Sequence, residues 1–237
     1  MPTYVLGVSR RRDLPRLMTH MTAESGPARR CSPADVVRWA GRDHVWWITR
    51  GDLTAAVVRA LQGPPQPVDH ARILAAIHRR ICVVPMRYGT AGRDDEAVGG
   101  MLEEWSRDLL RSLDRLEGTC ELGVRIALAH QPASERVARP AGLSPTDYLA
   151  WRRTEYRRED DLGRRAREVI QRVTDAAEGL YFQRRCLPAS APALVRLSFL
   201  VERSGVESFR RRVGAFDLQK TAHRYTLLGP WPPYSFA

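Results

Sequence analysis

Lysine is almost absent from this chain: all but one of its 38 basic residues are arginine, the exception being Lys220. Cysteine is scarce and scattered, at Cys31, Cys82, Cys120 and Cys186, with no CxxC pair and no clustered Cys/His spacing. That argues against a disulfide framework and a finger-type zinc site, and fits reduced thiols in a cytoplasmic protein. No apolar run approaches the ~20 residues that a membrane helix needs. The opening MPTYVLGVSRRR has too short an apolar stretch to be a secretory h-region. There is no P-loop, no G-x-S-x-G elbow and no dinucleotide fingerprint. The histidines are scattered, and the two closest on one helix, His70 and His78, lie about 12 Å apart, too far to share a metal without other ligands. A non-catalytic protein with no cofactor and no metal is expected.

What is present is ordinary in bulk and unusual in charge. At 237 residues, 43% hydrophobic and 27% charged, the chain has the make-up of one large globular domain or two small ones. Its net charge is +11. A basic surface permits binding to nucleic acid, anionic membranes or acidic proteins without choosing among them. An arginine-rich nucleic-acid-binding protein is the alternative reading, although no zinc finger, RNP motif or helix-turn-helix supports it. The most basic stretch, RRTEYRREDDLGRRAR, is interleaved with acids. Asp160–Arg164, Asp161–Arg165 and Glu168–Arg172 are acid-first pairs four apart, the pattern of a solvated, salt-bridged helix face.

Along the chain, TYVLGVS at 3–9 reads as a strand and 10–31 as a long loop. Ser32 before Pro33 reads as the cap of a short helix ending at Gly41. HVWWIT at 44–49 and LTAAVVRA at 53–60 read as strands joined by the turn Arg50-Gly51-Asp52. Asp69 caps a helix through HARILAAIHRR, and ICVVP at 81–85 reads as a buried strand. Val98, Met101, Leu102, Trp105, Leu109, Leu113 and Leu116 recur at three and four, predicting one long amphipathic helix stopped by Gly118.

The strand TCELGVRIALA at 119–129 follows, with Cys120, Leu122, Val124, Ile126 and Leu128 on one face. After a loop at 130–143, a helix runs from Ser144 to about Glu178. Strands at LYFQRRCL and ALVRLSFLVER, a helix at GVESFRRRVGAF and a strand at HRYTLLGP complete the chain. The second half thus reads β-α-β-β-α-β, the order of a ferredoxin-like fold, and the first half reads the same order with one helix added. The expectation is an α+β protein of two domains, a mixed α/β sandwich at 1–117 and a ferredoxin-like domain at 118–237.

Three places carry candidate binding or architectural residues. The ending GPWPPYSFA joins large aromatic rings to two prolines, Pro232 and Pro233, which neither continue a helix nor sit in a central strand. Trp231, Tyr234 and Phe236 are expected to pack back on the body as a stiff strap, the rival being presentation to a partner. The turn PMRYGT places Arg87 and Tyr88 before Gly89, which supplies a left-handed residue. It is read first as an architectural turn and second as a contact surface. Finally, Trp46 and Trp47 are neighbours in one strand, so one of them points away from its own core.

The tail GPWPPYSF resembles the C-terminal signature of the gas vesicle protein F/L family. YVLGV near the start, HARILAAIHRRICVVPMRYGT at 70–90 with its Pro-x-Arg-aromatic-Gly-Thr turn, and LEGTCELGVRI at 116–126 are similar to that family's blocks in the same order. DYLAWRR and LSFLVER match weaker patterns, and Tyr88 stands where the family usually has phenylalanine. The resemblance implies two α+β domains, the second ferredoxin-like. It also implies a cytoplasmic accessory or minor structural protein of the gas vesicle. Such a protein binds the small, very hydrophobic shell subunit and other vesicle proteins during assembly, without catalysis.

Overall fold

A computed structural model describes residues 2–22, 37–39, 43–59, 65–128, 144–189, 193–215 and 223–237. The fold is α+β with two antiparallel sheets. The chain forms two compact units: Met1–Glu121 together with Trp231–Ala237, and Leu122–Pro230. The expected division at 117/118 put the aromatic tail with the second domain, whereas its packing puts it with the first.

In the first unit, β1 (Thr3–Arg10) lies beside β4 (Leu53–Arg59), which pairs with β3 (Asp43–Arg50), and β3 pairs with β2 (Val37–Trp39). The other edge of β1 carries β5 (Val84–Pro85) and β6 (Ala91–Gly92), one after the other. Leu53, Ala55, Ala56, Val57 and Val58 of β4 are all buried, as expected of a strand covered on both faces. One face holds Leu6, Val45, Trp47 and Val58 against Leu17 of α1 (Leu14–Thr22) and Ile73, Leu74 and Ile77 of α2 (Pro67–His78). The sheet and α2 approach closely at Gly7, where a Cβ would lie 2.7 Å from Leu74 and Val83. On the other face α3 (Asp95–Glu104) meets β3, and α4 (Ser106–Leu116) meets β1.

Several expectations for this half need correction. The loop predicted at 10–31 contains a 3-10 turn at Arg11–Asp13 and then α1. Its apolar residues Leu14, Leu17 and Met18 recur at three and four and reach the core, which polar neighbours disguised in the sequence. The helix predicted at 32–41 contains β2 instead, paired at Val37–Val45 and Trp39–Asp43; the rest of that prediction lies outside the described residues. The α2 helix starts at Pro67 in the first position, after Gln66, rather than from an Asp69 cap.

The strand predicted at 81–85 shrinks to two residues. The end of α2 runs on into it, Arg80 and Ile81 both donating to the Ile77 carbonyl. The single long helix predicted at 98–116 is two helices that meet at Trp105 (φ −93°, ψ 5°). The backbone bonds persist there: Trp105 N–H donates to Met101 O (3.0 Å) and Leu109 N–H to Trp105 O (2.9 Å). The element order is therefore β-α-β-β-β-α-β-β-α-α, not the predicted β-α-β-β-α-β-α.

The second sheet has the order β10-β7-β9-β8, made by β7 (Thr119–Ala127), β8 (Gln183–Leu187), β9 (Leu194–Glu202) and β10 (Arg224–Trp231). Between them run α5 (Pro145–Ala176) and α6 (Val206–Gly214). Leu197, Phe199 and Val201 are buried with Val169 and Val173 of α5 and Phe209 and Val213 of α6. Ser144 caps α5, accepting from the Asp147 N–H, with Pro145 in the first position. Of the expected ion pairs on α5, Asp161 meets Arg164, three residues on, instead of Arg165.

Candidate functional site

The tail has a defined seat in the first unit. Phe236 is wholly buried, and Pro232 and Pro233 are buried with it. Backbone turns, Tyr234 N–H to Pro232 O (2.8 Å) and Phe236 N–H to Pro233 O (3.0 Å), fold the segment on itself. The carboxylate of Glu121, at 4% exposure, accepts from Ser235 twice, from N–H and Oγ–H, both at 2.7 Å. Arg115 of α4 donates to the Phe236 carbonyl. A buried carboxylate is costly unless hydrogen-bonded, so Glu121 and Ser235 stabilise each other. Trp231 and Tyr234 stay 37% and 40% exposed, so the strap is held by one ring and shows two. Burial first, and the Glu121 carboxylate second, push the Tyr234 hydroxyl up to about 12.

The PMRYGT turn is fixed by its own backbone. Met86 N–H donates to Leu6 O (3.0 Å), and Val5 N–H to Thr90 O (2.8 Å). The Arg87 carbonyl accepts from Thr90 N–H (3.0 Å) and Oγ–H (2.7 Å), while Gly89 takes φ +88°, a value a side chain would strain. Tyr88 donates to Pro65 O at 2.9 Å and lies edge-on to His70, ring centroids 5.7 Å apart. The Arg87 side chain is exposed and has no ion-pair partner among the described residues.

These two segments, some 150 residues apart in the chain, meet at one cleft of about 670 Å³. Its walls are α2, the Val84–Tyr88 segment, Trp105 with the first turns of α4, and Tyr234 and Ala237 of the tail. Val84, Pro85, Met86 and Leu109 make it apolar, with Arg87 and Asp108 as its charged lining residues. His70 lines it too, 6% exposed, its Nε2 without a hydrogen-bond partner. Burial lowers the His70 pKa, so the imidazole is neutral at neutral pH. The kink at Trp105 places that ring in the wall. Concave, largely apolar and rimmed by a few charges, the cleft suits an apolar segment.

Trp46 and Trp47 line no part of it. Trp47 is in the core on the α2 side, its indole N–H without an acceptor. Trp46 faces the α3 side, half-buried beneath the Arg59 guanidinium, 4.7 Å above its ring. Burial alone raises the Asp95 carboxyl, but hydrogen bonds from Arg59 (2.6 Å), Thr3 (2.8 Å) and Trp46 outweigh it and hold the group below its ordinary range. Among the described residues no group of three or more His, Cys, Asp or Glu is placed to hold a metal. Nor is any described helix long and apolar enough to cross a membrane.

Sequence reasoning does not place Glu121, Arg115, Trp105 or His70 at the site: Trp105 reads only as part of a helix face, and His70 only as one of the scattered histidines. Glu121 sits between Cys120 and Leu122 in a strand, where alternation made it an outward-facing acid. Its partner Ser235 is 114 residues away, beyond the reach of any local pattern.

The family described as "Gas vesicle synthesis protein GvpL/GvpF" matches residues 4–237. Gas vesicle protein L of Streptomyces sp. (strain CB03234) is 29% identical over 208 residues, 80% of this chain and 77% of that protein. Gas vesicle protein F of the same strain is 31% identical over 183 residues, 70% of this chain and 75% of that one. In fold, the chain is similar to the crystal structure of GvpF from Anabaena sp. PCC7120, at a TM-score of 0.71 and 17% identity, covering 100% of this chain and 98% of that one. Together with a family match that runs from residue 4 to residue 237, these likenesses mean that the chain belongs to the gas vesicle GvpL/GvpF family.

Proposed function

We propose that this protein is a non-catalytic accessory or minor structural protein of gas vesicle assembly. In this reading it works in the cytoplasm and at the vesicle, and binds the hydrophobic shell subunit and other vesicle proteins. Membership of the family supports a gas vesicle role. One observation carries the binding reading: the two segments most specific to the family resemblance, the Arg87–Gly89 turn and the tail, border the same apolar cleft. An aggregation-prone subunit needs an apolar surface that shields it, and the cleft, with Tyr88 and Tyr234 half open beside it, offers one. The second unit is read as a ferredoxin-like domain, supported by its β-α-β-β-α-β order and its strand order.

The test is capture of the shell subunit by the full chain and by Met86→Glu, Tyr88→Ala and Tyr234→Ala. Met86, Tyr88 and Tyr234 all keep some exposure, so native melting is expected with capture reduced about tenfold or more for Met86→Glu, a loss of roughly 1.4 kcal/mol. Capture should also persist as salt is raised, unlike binding to a nucleic acid. Undiminished capture by all three variants would remove the cleft from the account.

A further inference from the structure

From Pro145 to Glu168, no residue of α5 whose side chain is described is fully buried, although the stretch spans ~36 Å and Trp151 is half-buried with its indole nitrogen shielded. Helices of this kind are ordinarily held by packing of one face. Here Leu149 is 57% and Tyr156 54% exposed. Leu149, Tyr156 and Gly163 recur every seven residues and so form one stripe along the helix. Arg152 and Arg153 flank its N-terminal part, and Glu159 and Asp160 occupy the same two flanking positions seven residues later. Arg152 lies 4.6 Å over the Tyr156 ring and donates to its hydroxyl at 2.8 Å. Arg153, Glu159 and Asp160 have no ion-pair or hydrogen-bond partner among the described residues.

We propose that this stripe is the seam of a two-fold symmetric, antiparallel pairing with a second copy of the chain. A two-fold axis at Tyr156 sets that ring against its own counterpart. It sets Leu149 over Gly163 of the second copy, and, because each flank meets its own counterpart, Arg152 opposite Glu159 and Arg153 opposite Asp160. Every charge on the flanks then meets its opposite. A parallel pairing would set arginine on arginine and acid on acid, which repels. Size matches as well as charge. A Cβ at Gly163 would meet only the end of the Arg167 side chain, at 3.5 Å, so the largest aliphatic group of the stripe faces its one gap. Glycine inside a helix is unfavourable relative to alanine, and the seat for Leu149 gives this one a purpose. Residues 145–161 hold four arginines and five acids, a balance that suits self-pairing and not a polyanion. The seam from Leu149 to Gly163 is only ~21 Å long, so the pair is of the weak, transient class.

Sedimentation equilibrium of the full chain over roughly a hundredfold range of concentration tests this. The natural chain is expected to show a monomer–dimer equilibrium. Gly163→Leu fills the seat while favouring the helix, and should weaken the dimer about tenfold or more with helix content unchanged. The variant carrying Arg152→Glu with Arg153→Glu, and the one carrying Glu159→Arg with Asp160→Arg, should each be monomeric. An equal mixture of the two should dimerise, and so should a chain carrying all four changes. A natural chain that stays monomeric throughout overturns the proposal. So does a dimer indifferent to Gly163→Leu, or reversed variants that fail to recombine. Binding of nucleic acid or of anionic vesicles by a monomeric chain, lost on reversal of Arg152 and Arg153, also counts against it.

Discussion

Residues 232–237 form no helix or strand, while residues 145–168 are helical throughout, yet it is the first segment that holds fully buried residues, Pro232, Pro233 and Phe236. The tail is ordered by seats: Phe236 in the core, Ser235 on Glu121, Arg115 on the Phe236 carbonyl. The first two-thirds of α5 hold no fully buried residue among those described, and carry local pairs such as Asp161–Arg164. Regular structure and burial are thus separate sources of order, and damage to them should read out differently.

The sharpest contrast is between two apolar truncations. Phe236→Ala empties a filled core site and should cost about 3–5 kcal/mol. Leu149→Ala, at an exposed site, should stay within about 0.5 kcal/mol. Denaturant midpoints followed by tryptophan fluorescence compare them directly, and equal losses would erase the distinction. Next in size, Glu121→Ala leaves the Ser235 N–H without its acceptor and should cost about 1–3 kcal/mol, accompanied by faster trimming of the tail by a carboxypeptidase.

Alkali should act on the tail and spare the helix. Tyr234 ionises at about 12 in the folded chain and near 10 when unfolded, so the folded state holds the proton longer. Its contribution is intact below pH ~10 and is lost as pH rises toward about 12. Tyr234→Phe should flatten that part of the stability profile. A modest gain is expected in the helix: Gly163→Ala should favour its arm by about 1 kcal/mol, slowing amide exchange there and leaving the first unit untouched.

Much of the fold was legible because it is written in local composition, caps and short-range periodicity. Runs rich in β-formers located β1, β3, β4 and β9, alternation located β7, and Ser144 marked the start of α5. Where periodicity fails, so did the reading. Three residues of β2 are too few to show a period, and α1 hides Leu14, Leu17 and Met18 among arginines. The break at Trp105 leaves the apolar spacing of α3 and α4 continuous, because the backbone bonds continue through it. The cleft was legible only as two separate motifs. Its third wall, Trp105 and the start of α4, and its anchor, Glu121, depend on contacts between distant segments that no window of sequence contains.

The grouping of Trp231–Ala237 with Met1–Glu121 also sets an order of events during synthesis. Residues 122–230 must leave the ribosome before the last pieces of the first unit exist, a wait of roughly 5–20 s at ordinary elongation rates. Throughout that wait Glu121 has no Ser235 to receive and the place of Phe236 stands empty. The unit that starts first is therefore finished last.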